Sequence, residues 1–149
     1  PIDLLADEAC AYAKETGQGL TLSLVGRVGG EKDKWLAVWK SRGLEVEELG
    51  ELPVNKISQI LSRASIGLST TPLALVEKSG SVAAMVAHGL PVLCVSRDWE
   101  PRGINEWEPM SGVVDFKKEG LKGCLRHNPI LPCAPNTVEV SQQFASSLK

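Results

Sequence analysis

Two hydrophobic periods take turns along this chain, one near 3.6 residues and one near 2. In "DLLADEACAYAKE", residues 3–15, Leu4, Leu5, Cys10, Ala11 and Ala13 make much of one helical face small or apolar, with Asp3 a cap candidate and "TGQG" a stop. "LTLSLVG", residues 20–26, reads as a strand with a glycine exit, and "VGGEKDK" as the loop into a second helix. That helix, "KWLAVWKSRG", carries Trp35, Leu36, Val38 and Trp39 and ends at Gly43. "LEVEELGEL" alternates apolar with acidic positions as a short strand, and "VNKISQILSRA" sets Val54, Ile57, Ile60 and Leu61 at helical spacing. "SIGLST" is the next strand, followed by a helix over residues 79–88 and a strand over residues 91–96. The pattern then predicts a short strand at "GVVDF", a helix around "KKEGLKGCLRH", a Pro-rich turn and a last helix over residues 136–148.

Strands and helices alternate through short connections, and no hairpin signal joins two strands. This order predicts an α/β fold, a single domain over residues 1–149 in which helices cover both faces of a parallel sheet.

Composition narrows the partners. The chain has 149 residues, 43% hydrophobic and 23% charged, which suits a soluble globular domain with a real core. A net charge of −2, and aromatics not interleaved with Lys or Arg, argue against nucleic acid. No apolar run approaches the roughly 20 residues of a membrane span and no leader pattern opens the chain, so the expectation is a cytoplasmic protein without a transmembrane segment. Cys10, Cys94, Cys124 and Cys133 form no CxxC pair, and His88 and His127 lie far from ligand-like spacing, so neither a metal site nor a disulfide framework is expected. His88, just before Gly89, reads as a helix C-terminal residue facing the dipole rather than a base.

In open α/β sheets, ligands gather beyond the carboxyl ends of the strands, where helix N-termini present free N–H groups. Three loops qualify: "GRVGGEK", "GELPVN" and "TTPLALVEKSGS". In the third, Ser79, Gly80 and Ser81 offer hydroxyls, close backbone approach and unsatisfied amides at a helix start, while Lys78 adds a positive charge. That set suits a phosphate or diphosphate. The simpler alternative makes Ser79 or Ser81 an N-cap and Lys78 a solvated charge. Thr70 and Thr71 are open in the same way, as ligand contacts or strand terminators.

The run "LGELPVNKISQILSRASIGLSTTPLALVEKSGSVAAMVAHGLPVL" resembles the C-terminal domain of group 1 type glycosyltransferases with the GT-B fold. The strand end, the following helix, the Ser/Thr-Pro loop and a helix closing in "HGLPVL" occur in the family's order, with the clear match over residues 20–96. The resemblance implies a Rossmann-like domain that binds a nucleotide-diphosphate sugar. By matched position it implicates Gly50, Glu51 and Leu52 near the base, and Thr70, Thr71, Lys78, Ser79, Gly80 and Ser81 around ribose and diphosphate. Gly26 and Arg27 match an earlier glycine-containing loop. Glu77 stands for the first of the family's two glutamates, while Ala84 occupies the second position.

Three readings follow. In the first, the chain is the donor-binding half of a glycosyltransferase acting on an unknown acceptor; the catalytic residues remain unassigned, and the general base and acceptor domain belong to a missing N-terminal half. In the second, it is a non-catalytic nucleotide-binding or structural module derived from a GT-B half. In the third, it is a fragment of a GT-B type sugar-nucleotide epimerase. The family's central strand has no counterpart before residue 3. The strands at residues 20–25 and 66–69 are therefore expected to pair directly, to borrow a strand within a homodimer, or to await a segment that the intact protein supplies.

Overall fold

The computed structural model describes residues 2–97, 99–103 and 110–127. The expected terminal helix over residues 136–148 and Cys133 lie outside the described residues. The elements are α1 (Ile2–Thr16), β1 (Thr21–Val25), α2 (Lys32–Ser41), β2 (Glu45–Gly50), α3 (Val54–Arg63), β3 (Gly67–Ser69), a 3-10 helix (Leu73–Lys78), α4 (Gly80–Ala87), β4 (Val92–Cys94), β5 (Val113–Asp115) and α5 (Phe116–Arg126). The chain divides into two compact units, Pro1–Ile57 and Ser58–Lys149.

The fold is α/β with parallel strands, arranged in two small sheets. One is β1-β2 and the other β3-β4-β5, and every ladder is parallel. The first unit holds the β1-β2 sheet and the second the β3-β4-β5 sheet.

In the first unit the period-2 pattern of β1 buries Leu22 and leaves Thr21 and Ser23 exposed. On that exposed face the Thr21 hydroxyl donates to Glu45 and the Ser23 hydroxyl to Glu47, at 3.3 and 3.1 Å. This face carries short polar side chains and carboxylates, with Thr21, Ser23, Glu45 and Glu47 all exposed. Helix α1 turns Ile2, Leu5, Ala6 and Ala9 inward, and α2 turns Trp35, Leu36 and Trp39 inward. Arg42, just beyond α2, ties the two helices together: its Nε donates to Asp7 at 2.7 Å and its Nη2 to Asp3 at 3.3 Å. The Asp7 contact first, and Asp3 in addition, hold the guanidinium pKa above its ordinary value. Gly43 then takes φ +71°, a conformation that a β-carbon would disfavour, and lets the chain leave α2 for β2.

In the second unit β4 is the central strand, and "PVLCV" is buried from end to end, as a strand with parallel neighbours on both sides should be. Val92 and Cys94 face a cluster that contains Val76, Val82 and Met85 of the 3-10 helix and α4. Alternation leaves Leu93 and Val114 for the opposite face, where α5 packs with Phe116, Leu121 and Cys124 buried. Burial, with Glu119 nearby, pushes the Cys124 thiol up to about 12, so it is neutral and inert in the folded chain. The predicted helix around "KKEGLKGCLRH" begins where Asp115 accepts the Lys117 amide as a cap, but it is broken at Gly120, whose φ of +66° and ψ of −177° are not helical.

Candidate functional site

At the carboxyl end of the first sheet, both strands finish in glycines of positive φ: Gly26 at +85° and Gly50 at +64°. The Gly26 amide donates to the Gly50 carbonyl at 2.7 Å, so the two turns are locked side by side. The ladder skips Leu49 here, because Leu24 pairs with Glu48 and Val25 with Gly50. Such an extra residue re-aims the strand end. The result is an open cleft of about 320 Å³, lined by Leu24, Val28 and Leu49 as apolar walls, by the glycines, and by Lys32 and Glu48.

Lys32, the first residue of α2, meets Glu48 at 2.5 Å, and each side chain stays about 40% exposed (40% and 42%). The hydrogen bond to Glu48, reinforced by its charge, lifts Lys32 above the usual lysine value, and the same bond holds Glu48 below the usual carboxyl value. Both groups are therefore charged at neutral pH. Arg27 and Glu51, both candidates from the sequence, form an ion pair with each other on an exposed part of the same unit. Leu52 is half-buried.

The second unit holds the other candidates. Thr70 is exposed where β3 ends; Thr71 is half-buried, its amide donating to the Ser69 hydroxyl at 3.2 Å and its carbonyl accepting from the Cys94 thiol at 3.0 Å. The backbone of Thr71 thus fixes the loop, while Thr70 is exposed. The segment read as a loop contains the 3-10 helix, closed by the Leu75 amide donating to Pro72 and the Ser79 amide to Val76. Glu77 and Lys78 sit on it, both exposed.

Ser79 is the N-cap of α4: it has an extended backbone and its hydroxyl accepts from the Val82 amide at 3.3 Å. Of the two readings for this serine, capping is the one its side chain performs. Ser79→Ala should cost about 1 kcal/mol and Ser79→Gly only a few tenths, measured by chemical denaturation; equal stability of wild type and Ser79→Ala would remove the cap. Gly80 and Ser81 are exposed, and no acceptor among the described residues meets their amides. These are the first orphan N–H groups of the helix, beside an exposed lysine.

At the other end of α4 the ring of His88 is held twice. The Ala84 carbonyl can only accept, at 2.7 Å, so Nδ1 carries a proton, and Nε2 shares a hydrogen bond of 2.8 Å with the Ser58 hydroxyl. A ring engaged at both nitrogens at a helix C-terminus is a structural fixture, in line with the sequence reading.

The sequence candidates thus fall into two groups, Gly26, Arg27, Gly50, Glu51 and Leu52 in the first unit and Thr70, Thr71, Glu77, Lys78, Ser79, Gly80 and Ser81 in the second. Sequence reading missed Lys32 and Glu48. The signal was present: Glu48 shares the parity of Val46, so it points toward the helix that opens with Lys32. Among the described residues no group of three or more His, Cys, Asp or Glu is placed to hold a metal ion, and no helix is long and apolar enough to cross a membrane. No protein-family model, curated protein or solved structure matches the chain.

Proposed function

We propose that this chain is the nucleotide-diphosphate-sugar-binding half of a glycosyltransferase, with a Rossmann-like fold of the GT-B type, whose acceptor-binding half is a separate domain. The observation that supports it is the start of α4: the amides of exposed Gly80 and Ser81, which meet no acceptor among the described residues, next to the exposed charge of Lys78. Backbone N–H groups at a helix N-terminus stabilise an anion, and a leaving diphosphate gains charge as the glycosidic bond to it breaks. The Ser79 cap fixes the first turn without using those two amides. Thr70, exposed at the end of β3, is the hydroxyl on the loop that leads to them.

The test is calorimetric titration of the chain with UDP, GDP and ADP. At least one should bind, and Lys78→Ala should weaken it about five- to thirtyfold, or about 1–2 kcal/mol, the scale of one charge-assisted hydrogen bond. His88→Ala should leave the affinity unchanged. Equal affinity for wild type and Lys78→Ala would make Lys78 a surface charge and remove the diphosphate from this site.

A further inference from the structure

The loop that leaves β3 toward α4 is held by the end of β4. The Ser69 carbonyl accepts from the Val95 amide at 2.8 Å, and the Thr71 carbonyl accepts from the Cys94 thiol at 3.0 Å. Both neighbours of Thr70 are therefore fixed by consecutive residues of one strand end. Thr71 also closes back on the Ser69 hydroxyl through its amide, at 3.2 Å. Thr70, between them, is exposed, and its hydroxyl meets no partner among the described residues. The two ties differ in kind. The Val95 bond continues the β3-β4 ladder and needs only a backbone amide. The Cys94 bond needs a side chain that can donate, since a carbonyl only accepts. Cys94 is buried, in register with Ser69, and its sulfur lies 3.5 Å from the Ser96 hydroxyl. Alanine or valine would suit the same buried strand position and would leave the Thr71 carbonyl without this donor.

We infer that Cys94 is a positioning residue of the nucleotide-diphosphate site: its thiol fixes the Thr71 carbonyl, and through it the place at which Thr70 offers its hydroxyl to the ligand. The inference deepens the reading above and rests on it. Every residue it uses, from Ser69 to Ser81 and from Cys94 to Ser96, lies in the second unit. A hydroxyl on a loop that must first be ordered gives up part of its binding free energy to that ordering, whereas a loop already held does not. Cys94 itself stays buried and touches no ligand, so its effect on affinity passes entirely through Thr70. A general loosening of the core would weaken binding whether or not Thr70 carries its hydroxyl, and this difference separates a positioning role from packing.

The experiment is a double-mutant cycle on the full chain, Cys94→Ala, Thr70→Val and the two combined, titrated with UDP, GDP and ADP. Cys94→Ala should weaken binding about three- to tenfold, the scale of one hydrogen bond between neutral groups, and Thr70→Val by a similar factor. In the Thr70→Val background Cys94→Ala should have no further effect, because the group it places is gone. Cys94→Ser, which keeps a donor, should bind as the wild type does. Equal affinity of wild type and Cys94→Ala, or losses that multiply in the double variant, would make Cys94 a core residue alone and leave the nucleotide reading standing. The S–H stretching band of the unliganded wild type, assigned by its loss in Cys94→Ser, checks the tether without opening a cavity. It should lie below that of a thiol with no acceptor, and a band at the unbonded position would overturn the inference. If none of the three nucleotides binds the wild type, the reading fails and the inference with it.

Discussion

Leu93→Ala should lower stability by about 2–5 kcal/mol, the range for removing most of a fully buried leucine from a packed core. Leu93 has no exposed surface and sits at the middle of the central strand β4, in register with Leu68 of β3 and Val114 of β5. Its neighbours are held by ladders on both sides, so they can collapse only partly into the cavity and the cost should not fall to the low end. Leu93→Met, which nearly conserves volume, should cost less than about 1.5 kcal/mol. Urea denaturation of the three proteins checks this. A loss below about 1 kcal/mol for Leu93→Ala would mean that β4 is not the centre of the second sheet.

Gly67→Val should also destabilise, by about 1–3 kcal/mol or more, through overpacking. A β-carbon placed on Gly67 would come within 2.2 Å of the Met85 sulfur and 3.3 Å of its β-carbon. Gly67 opens β3 and Met85 lies on α4, so this glycine sets how closely the helix approaches the sheet. The mechanism predicts coupling: in a Met85→Ala background, Gly67→Val should cost markedly less than it does alone, because the colliding atoms are gone. A thermodynamic cycle of the four proteins measures it. Additive losses would show that the glycine acts through the backbone rather than through this contact.

These two positions illustrate what the sequence makes legible. Leu93 lies in "PVLCV", a short apolar run, rich in β-branched valine, that follows a glycine and opens on a proline, and its length and flanks read as a strand covered on both faces. The α/β alternation and the cap at Ser79 were readable because each depends on residues within a few positions. The 3-10 helix of residues 73–78 was not, because its turns follow from Pro72 and from Val76 finding the second unit's core, and six residues carry too little periodicity. The break at Gly120 was hidden in an otherwise helical pattern, since glycine is tolerated in a helix and only the backbone angles tell. In the first sheet the acidic alternation of "LEVEELG" correctly signals a strand, and it also marks the face on which Glu45 and Glu47 are exposed.

The candidate sites divide in the same way. The Gly80 and Ser81 amides follow from a helix start, a local property, and α4 begins at Gly80. The Lys32–Glu48 pair joins residues from two elements that meet only through the parallel pairing of β1 with β2 and the helix between them. Composition alone could not bring them together, although strand parity marks which glutamate points toward the helix. Thr71 shows the reverse: a hydroxyl residue in a ligand-like loop whose backbone is spent on Ser69 and Cys94.

The central claim is that the start of α4 receives a diphosphate. Titrating the chain with inorganic pyrophosphate and then with UDP and GDP, while following the amide resonances of Gly80 and Ser81, tests it most directly. The account predicts saturable shifts centred on these two amides, weakened in Lys78→Ala and retained in His88→Ala. Amides that stay unmoved at saturating concentrations of all three ligands would contradict it.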